Sequence, residues 1–379
     1  LTCLKKDCLM LFPINHVDTN MVYLNDVLKH FLLKAIVLNQ YRKANLFPAE
    51  FIDVHDNKKN AIDKKFKTVF DQIKNLSPVQ KKQLKRMYFN HQRTKRLCQD
   101  GVLIVDFSGF PEAFKKALKA LGEYLYTSGL KNAQIRNLAS NKYGDKNSTL
   151  HEHWLEFKRI NGAVCCFCGI QDYEEQLPNS TKTKWRPAYD HYLPKDKYPF
   201  AAVNFKNLIP CCYQCNSKAK GVVDPCNCDK SGRKKAKYPF DNTISLGLKF
   251  KFIKENLAAK KPWVVELKDE LDESHQTWNR VYKIKDRVAS RLNSNYVSWL
   301  SLHHSDVICA PTMVGRKAIL LQKAQELANE ATQQREYIHQ ANLLATLSNT
   351  SDGILDSILQ AIKPDPSPAV YVFIEMDFI

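Results

Sequence analysis

Three short stretches hold most of the side chains able to do chemistry in this 379-residue chain. The first runs Val164, Cys165, Cys166, Phe167, Cys168, Gly169. The second runs Tyr189, Asp190, His191, Tyr192, Leu193, Pro194, Lys195. The third runs Asn207, Leu208, Ile209, Pro210, Cys211, Cys212, Tyr213, Gln214, Cys215, Asn216, Ser217, Lys218. Cys165 and Cys168 form one Cys-x2-Cys knuckle, and Cys212 and Cys215 form another. Zinc takes four thiolates in a tetrahedron, and two tight turns that each present two sulfurs close such a site. One knuckle alone would be a weak signal. Two that bracket a basic segment predict structural zinc, against the plainer alternative of buried free cysteines. Cys166 and Cys211 are adjacent spares, so the register stays open. Gly169 favours Cys168 as the end of the first knuckle, where the turn calls for a flexible residue.

A closed zinc site keeps no open position, so the chemistry must come from between the knuckles. Asp190 and His191 set a hard oxygen ligand beside an imidazole. Neutral imidazole accepts a proton from water near neutral pH. Asp190 and Asn216 offer the oxygen ligands that Mg²⁺ prefers, and such a cation neutralises charge building on a phosphate and its leaving oxygen. A lone histidine is more often structural. One preceded by Asp, flanked by tyrosines and set in a basic zinc-bracketed patch is a stronger candidate.

Charge points to the same region. Lys and Arg number 57 against 39 Asp and Glu, a formal +18. Between positions 182 and 237 there are 13 Lys/Arg, 4 Asp and no Glu, so half of the net charge lies in about a seventh of the chain. A protein this basic attracts polyanions, of which nucleic acid is the commonest. Eight of the twelve cysteines fall between Cys165 and Cys228. No apolar run approaches the roughly 18 residues that a membrane span needs; the longest, 31–38, is interrupted by Lys34. The chain starts at Leu1, Met10 is an alternative start, and no signal peptide is read at the N-terminus. A cytoplasmic location is therefore expected, where paired knuckles mean zinc rather than disulfides.

The elements that must position these residues read as three segments. Residues 1–144 are expected to be helical. Ser77, Pro78 and Gln80 make a capping box with proline at the first helical position, and Leu84, Met87, Tyr88 and His91 follow at helical spacing. Lys81, Lys82, Lys85, Arg86, Arg93, Lys95 and Arg96 decorate this helix, as a solvated face or a phosphate-contacting one. A second helix from Pro111 carries Phe110, Phe114, Leu118, Leu121 and Leu125 on one stripe, with Gly129 just past its end. Residues 102–107 are a short β-prone run, and 140–149 read as a loop. The central segment spans 145–241, with 225–237 as a further loop. The segment 242–379 is again expected to be helical, with one stripe through Trp278, Val281, Ile284, Val288 and Leu292. A second stripe runs through Ile319, Leu320, Leu327, Ala331, Ile338, Ala341 and Leu344. The Pro-rich stretch 363–368 reads as irregular.

The order Cys-x2-Cys, Asp-His, Asn-Leu-x-Pro, Cys-x2-Cys-Asn-x-Lys resembles the HNH, or ββα-metal, endonucleases over roughly Ala163 to Gly221. The runs 190–195 and 207–218 resemble the HNH nucleases of bacterial defence and mobile loci, including the HNH subunits of Septu-type and retron-type anti-phage systems. The resemblance implies a mainly α protein with a small central ββα-metal core bound to zinc. It makes His191 the general base and Asp190 a ligand of the catalytic metal. Asn207 becomes the middle motif residue that holds the loop and orients the histidine, and Asn216 the second protein ligand. Two oxygen ligands favour Mg²⁺ or Mn²⁺. Lys195, Lys218 and Lys220 are candidate phosphate contacts, with solvated lysines as the plain alternative.

Two features depart from the simple pattern. Cys226 and Cys228 could join Cys166 and Cys211 at a second metal, or sit in a loop. His151 and His153 invite a metal reading that is weaker, because zinc already has four better ligands. The leading expectation is a phosphodiesterase acting on DNA, with RNA the lesser option. The alternatives are a non-catalytic zinc module that grips nucleic acid, and a subunit of a defence complex whose helical flanks dock an ATPase or sensor. A pure zinc binder has no need of the set Asp190, His191, Asn207 and Asn216.

Overall fold

Helical periodicity dominates the sequence, and the computed structural model of the chain is mainly helical. It describes residues 14–56, 61–99, 106–173, 187–228, 232–243, 246–257 and 261–362. Most of the β-prone run 102–107 and the Pro-rich stretch 363–368 lie outside the described residues. Among the described residues eight α-helices precede the central segment: α1 (Tyr23–Ala35), α2 (Lys43–Leu46), α3 (Ile52–Asp56), α4 (Ile62–Lys74), α5 (Pro78–His91), α6 (Thr94–Gln99), α7 (Glu112–Thr127) and α8 (Ala133–Tyr143); α9 (Leu150–Asn161) opens it. Among the described residues five follow it: α10 (Glu273–Tyr282), α11 (Ile284–Cys309), α12 (Met313–Glu330), α13 (Tyr337–Ser348) and α14 (Asp352–Ala361). None of the described helices is long and apolar enough to cross a membrane.

Local chemistry sets the helix ends. At α5 the Ser77 hydroxyl accepts from Gln80 N at 3.2 Å and the Gln80 side chain accepts from Ser77 N at 2.9 Å. This is the reciprocal cap that the sequence predicts. Thr149 and Glu152 do the same for α9. The expected loop at 140–149 is shorter than its composition implied, because α8 continues through Tyr143. The stripe from Trp278 to Leu292 is divided between two helices. Lys283 breaks it in the left-handed region at φ 54°, and both halves keep their apolar face buried. Glu336, at φ 67°, similarly opens α13 after the second stripe has left α12.

The C-terminal segment is not all helical. Strands β5 (Leu248–Phe252) and β6 (Trp263–Leu267) pair antiparallel. In β5 the apolar Leu248 and Phe250 turn inward while Lys249 and Lys251 turn out. That two-residue period is a strand signal. Residues 225–237, expected as loop, contain the short antiparallel pair β3 (Asn227–Cys228) and β4 (Gly232–Arg233).

Two apolar clusters hold the molecule together. One gathers the apolar faces of α1 to α5, α7 and α8 and takes in Tyr189, Phe200, Val203, Phe205 and Leu208, while Leu97 and Cys98 of α6 belong to the other. The other gathers Trp154, Phe157, the cysteine knuckles, β5, β6 and the C-terminal helices. The central segment lies between them, with Tyr189 in the first cluster and Tyr192 in the second. Gly162 ties α9 to the chain beyond α12. Its neighbours Ala163 N and Val164 N both donate to the Thr332 carbonyl, at 2.8 and 3.1 Å. A Cβ on Gly162, at φ 89°, would stand 2.2 Å from that oxygen.

Candidate active site and metal centre

The first knuckle is a tight turn. Cys168 N and Gly169 N both donate to the Cys165 carbonyl, at 3.2 and 2.9 Å. Gly169 sits at φ 63°, where a side chain would be strained. The second knuckle brings Cys215 N to within 3.5 Å of Cys212 Sγ. The sulfurs of Cys165, Cys168, Cys212 and Cys215 are all buried and lie within 4.8 Å of one another. Cys168 Sγ and Cys212 Sγ are 4.0 Å apart. Tetrahedral zinc with Zn–S near 2.3 Å requires sulfurs about 3.8 Å apart, so this set fits the ion. Burial pushes the Cys165 and Cys215 thiols well above their ordinary range. A divalent cation reverses that preference, because a coordinating thiol is deprotonated outright.

Residues far away in sequence support the knuckles. Arg287 of α11 donates to Cys215 Sγ at 3.3 Å, where its positive charge would offset the negative charge of a four-thiolate site. Trp278 Nε1 donates to the Phe167 carbonyl at 2.9 Å, and His339 Nε2 lies 2.8 Å from the Cys168 carbonyl. The C-terminal helices therefore clamp the first knuckle. No local pattern marks these three roles, because each depends on long-range packing.

The spare cysteines lie nearby without joining the group. Burial pushes the Cys166 thiol up to about 12. Cys211 lies beside Cys165, and burial pushes its thiol up as well. Cys226 faces Cys98, not Cys166 and Cys211; the side chain of Cys228 is outside the described residues. Among the described residues the four-cysteine group is the only one of its kind. His153 is a core residue: Nδ1 lies 2.6 Å from the Tyr189 hydroxyl and Nε2 3.2 Å from the Val17 carbonyl. His151, half-buried on α9, is also outside the group.

Between the knuckles, β1 (Tyr189–His191) pairs antiparallel with β2 (Leu208–Pro210), matching Asp190 to Ile209 and His191 to Leu208. A seven-residue π-helical segment, Gln214–Lys220, follows. Asn207 stands at the entry to β2 and is completely buried. Its carboxamide oxygen accepts from Leu193 N at 2.8 Å, and its Nδ2 donates to the carbonyls of Leu193 and Ala201 at 3.0 and 3.3 Å. It thus staples the two ends of the strand connection. Next to that staple, the Ala202 carbonyl lies 3.0 Å from His191 Nε2. A carbonyl can only accept, so Nε2 carries the hydrogen and Nδ1 holds the lone pair in the neutral ring. Burial pushes the His191 imidazole down to about 3, with the Ala202 hydrogen bond opposing. The ring packs edge-on against Tyr126 of α7, centroids 4.4 Å apart.

Asp190 is 2% exposed and meets an equally buried Lys220. Lys220 Nζ lies 2.8 Å from Asp190 Oδ1 and donates to the His191 carbonyl at 2.9 Å. Lys220 is therefore not the phosphate contact that its position implied: it is inside the protein, holding the strand that carries Asp190 and His191. Asp190 Oδ2 is buried and has no hydrogen-bond partner among the described residues. Burial raises the Asp190 carboxyl above its ordinary value, and Lys220 offsets this only in part. The site is thus short of positive charge, and its orphaned oxygen is one that a hard divalent cation fits. Asn216 is half-buried, four residues before Lys220; about 4.4 residues make a π-helical turn, so both share a face. No contact joins the His191 ring to the side chain of Asp190 or Asn216 among the described residues.

The other two lysines differ. Lys195 is bound to α7, with Nζ 2.7 Å from Glu123 and 5.6 Å from the centre of the Tyr126 ring. Lys218 is exposed, its ammonium 5.6 Å from the Tyr213 ring centre.

No family model matches the chain, and no solved structure matches it. Two curated proteins match in part. Septu protein PtuB of Bacillus thuringiensis is 54% identical over 64 residues, 17% of this chain and 21% of that protein. Protein ea31 of Escherichia phage lambda is 28% identical over 99 residues, 26% of this chain and 29% of that protein. The chain thus spans only about a fifth to under a third of the length of these relatives, and the likeness is local.

Proposed function

We propose that the chain is a metal-dependent HNH-type endonuclease that hydrolyses phosphodiester bonds, with DNA the preferred substrate and RNA the lesser one, in defence against phage. The observation that carries the reading is a histidine fixed in one tautomer, His191, next to a buried carboxylate, Asp190, with one oxygen unpartnered. The partial likeness to a Septu protein supports the defence setting.

In this reading His191 Nδ1 takes a proton from the attacking water. The Nε2–H bond to the Ala202 carbonyl holds the ring in place and stabilises the imidazolium that forms. Asn207 acts through position, fixing the connection that supplies that carbonyl. Lys220 holds the Asp190 carboxylate and the His191 main chain. Asp190 Oδ2 and the Asn216 carboxamide would hold Mg²⁺ or Mn²⁺, which supplies charge neutralisation at the phosphate and the leaving oxygen. The four-cysteine zinc is structural and takes no part in the step. Lys218 is the one of the three candidate lysines left exposed for phosphate. The helical flanks carry a partner such as an ATPase or sensor subunit.

The test is cleavage of supercoiled plasmid and of RNA by the purified chain, first without divalent cation and then with added Mg²⁺ or Mn²⁺. Cleavage should appear only with the cation and should be lost in Asp190→Ala. Full cleavage without a cation, or an Asp190→Ala protein that cuts like wild type, overturns the reading.

A further inference from the structure

The basic residues where α5 meets α6 play no part in the cleavage reading. Arg93, Lys95 and Arg96 line an open cavity of about 530 Å³ with Lys206, His16 and Phe240. A second open cavity, about 310 Å³, shares His16, Gln92 and Lys206 with the first and reaches on to Lys29 and Phe89. The two form one groove. Its positive charge is compensated only in part. Lys29, Arg93 and Lys206 are exposed and make no ion pair among the described residues, whereas Lys95 is 3.1 Å from Asp241. Of the carboxylates in reach, Asp241 is buried under Lys95, Gln99 and Thr243, Asp26 accepts from the Tyr143 hydroxyl at 2.7 Å, and Asp18 lies 3.5 Å from His16 and 3.0 Å from Lys146.

Rings are set among these cations. His16 and Phe240 are half-buried and meet edge to face with centroids 5.1 Å apart, and Tyr238 backs Phe240 at 5.7 Å. The Gln92 carboxamide between them is already fixed, donating to the Phe200 carbonyl at 2.6 Å and accepting from Asn25 at 2.9 Å. Lys206 immediately precedes Asn207, the staple of the catalytic hairpin. Cations that bind phosphates, alternating with ring faces that bind bases, are what an unpaired strand requires. A duplex keeps its bases stacked inside and could use only the cations.

We propose that this groove binds single-stranded nucleic acid, with phosphates on Lys29, Arg93 and Lys206 and bases against Phe240 and His16. The proposal rests on the nucleic-acid reading above for the class of ligand, and not on cleavage.

The experiment is fluorescence anisotropy of a labelled 12-nucleotide deoxythymidine strand against the full chain, without Mg²⁺, over a series of salt concentrations. Removing two phosphate contacts in Arg93→Ala/Lys206→Ala should flatten the slope of log affinity against log salt by about 1.4. Phe240→Ala should weaken binding by about fivefold or more and leave the slope unchanged. Lys206→Glu, at an exposed site where folding is not at stake, should weaken binding more than the alanine. Wild-type affinity and slope in these variants overturn the groove and leave the nuclease reading standing. A wild-type chain that binds the strand but cuts neither plasmid nor RNA once Mg²⁺ or Mn²⁺ is added sinks the nuclease reading, while the groove still stands or falls by the variants. A wild type that binds no oligonucleotide overturns the groove, while the nuclease reading stands or falls by the plasmid and RNA cleavage assay.

Discussion

Lys220→Met tests the assignment that departs most from the sequence. The ammonium is 1% exposed, 2.8 Å from Asp190 Oδ1, and the carboxylate is 2% exposed. Methionine keeps the length of the side chain but leaves Asp190 buried without a cation and the His191 carbonyl without its donor. Removing one member of a buried pair costs about 3–5 kcal/mol. A second route gives a similar figure. The isolated carboxyl would take up a proton, and protonating a group of ordinary pKa 3.8 at pH 7 costs about 4 kcal/mol. The sign with pH follows. In the variant the folded-state pKa of Asp190 lies above the unfolded value, so stability is lost as pH rises from 3.8 toward that raised value. The defect should therefore shrink by about 2–3 kcal/mol between pH 7 and pH 5. Urea unfolding followed by tryptophan fluorescence, without added divalent cation, measures it. Asp190→Asn/Lys220→Met should recover much of the loss, since neither charge is then stranded. A Lys220→Met protein within about 1 kcal/mol of wild type at pH 7, or a defect that grows at pH 5, refutes the reasoning.

Three further outcomes are expected. Gly162→Ala should cost more than about 2 kcal/mol, because its φ is 89° and the new Cβ would strike the Thr332 carbonyl; an unchanged urea midpoint would contradict this. His91 is fully buried among Phe107, Tyr198 and Phe200, neither ring nitrogen has a partner among the described residues, and burial pushes it down to about 3. Between pH 6.5 and 5 the unfolded chain gains a proton that the folded chain refuses, a loss of about 2 kcal/mol that His91→Leu should abolish; an equally steep pH dependence in the variant would count against it. Cys168→Ser and Cys212→Ser should lose about one zinc per chain together with the fold of the central segment, whereas Cys309→Ser, at an exposed thiol, should keep both. Metal analysis showing zinc retained in folded Cys168→Ser contradicts the site.

Features whose cause is local were legible in the sequence. The Ser77 cap, the Gly169 turn and the pairing of two knuckles each depend on a few neighbouring residues, and each is present in the structure. The apolar stripes were legible too, but not their breaks at Lys283 and before Tyr337. A left-handed lysine or glutamate carries no compositional mark. The β5–β6 hairpin carries a local mark, the strict alternation from Leu248 to Phe252, but it is short and lies beside longer helical stripes that dominate the segment. Around the site, Lys220 could not be read as an internal cation, since spacing along a helix does not tell a buried lysine from a solvated one. Arg287, Tyr126 and the Ala202 carbonyl were out of reach for the same physical reason: their roles come from distant elements packed against the hairpin.

His191 as the base of a hydrolytic site is tested by the single-turnover cleavage rate of His191→Ala beside its affinity for the same nucleic acid. Binding rests on many lysine and arginine contacts, whereas proton removal rests on one ring. The rate should fall by about 10²- to 10⁴-fold, with affinity and zinc content close to wild type. A His191→Ala protein that cleaves DNA and RNA at the wild-type rate would contradict it.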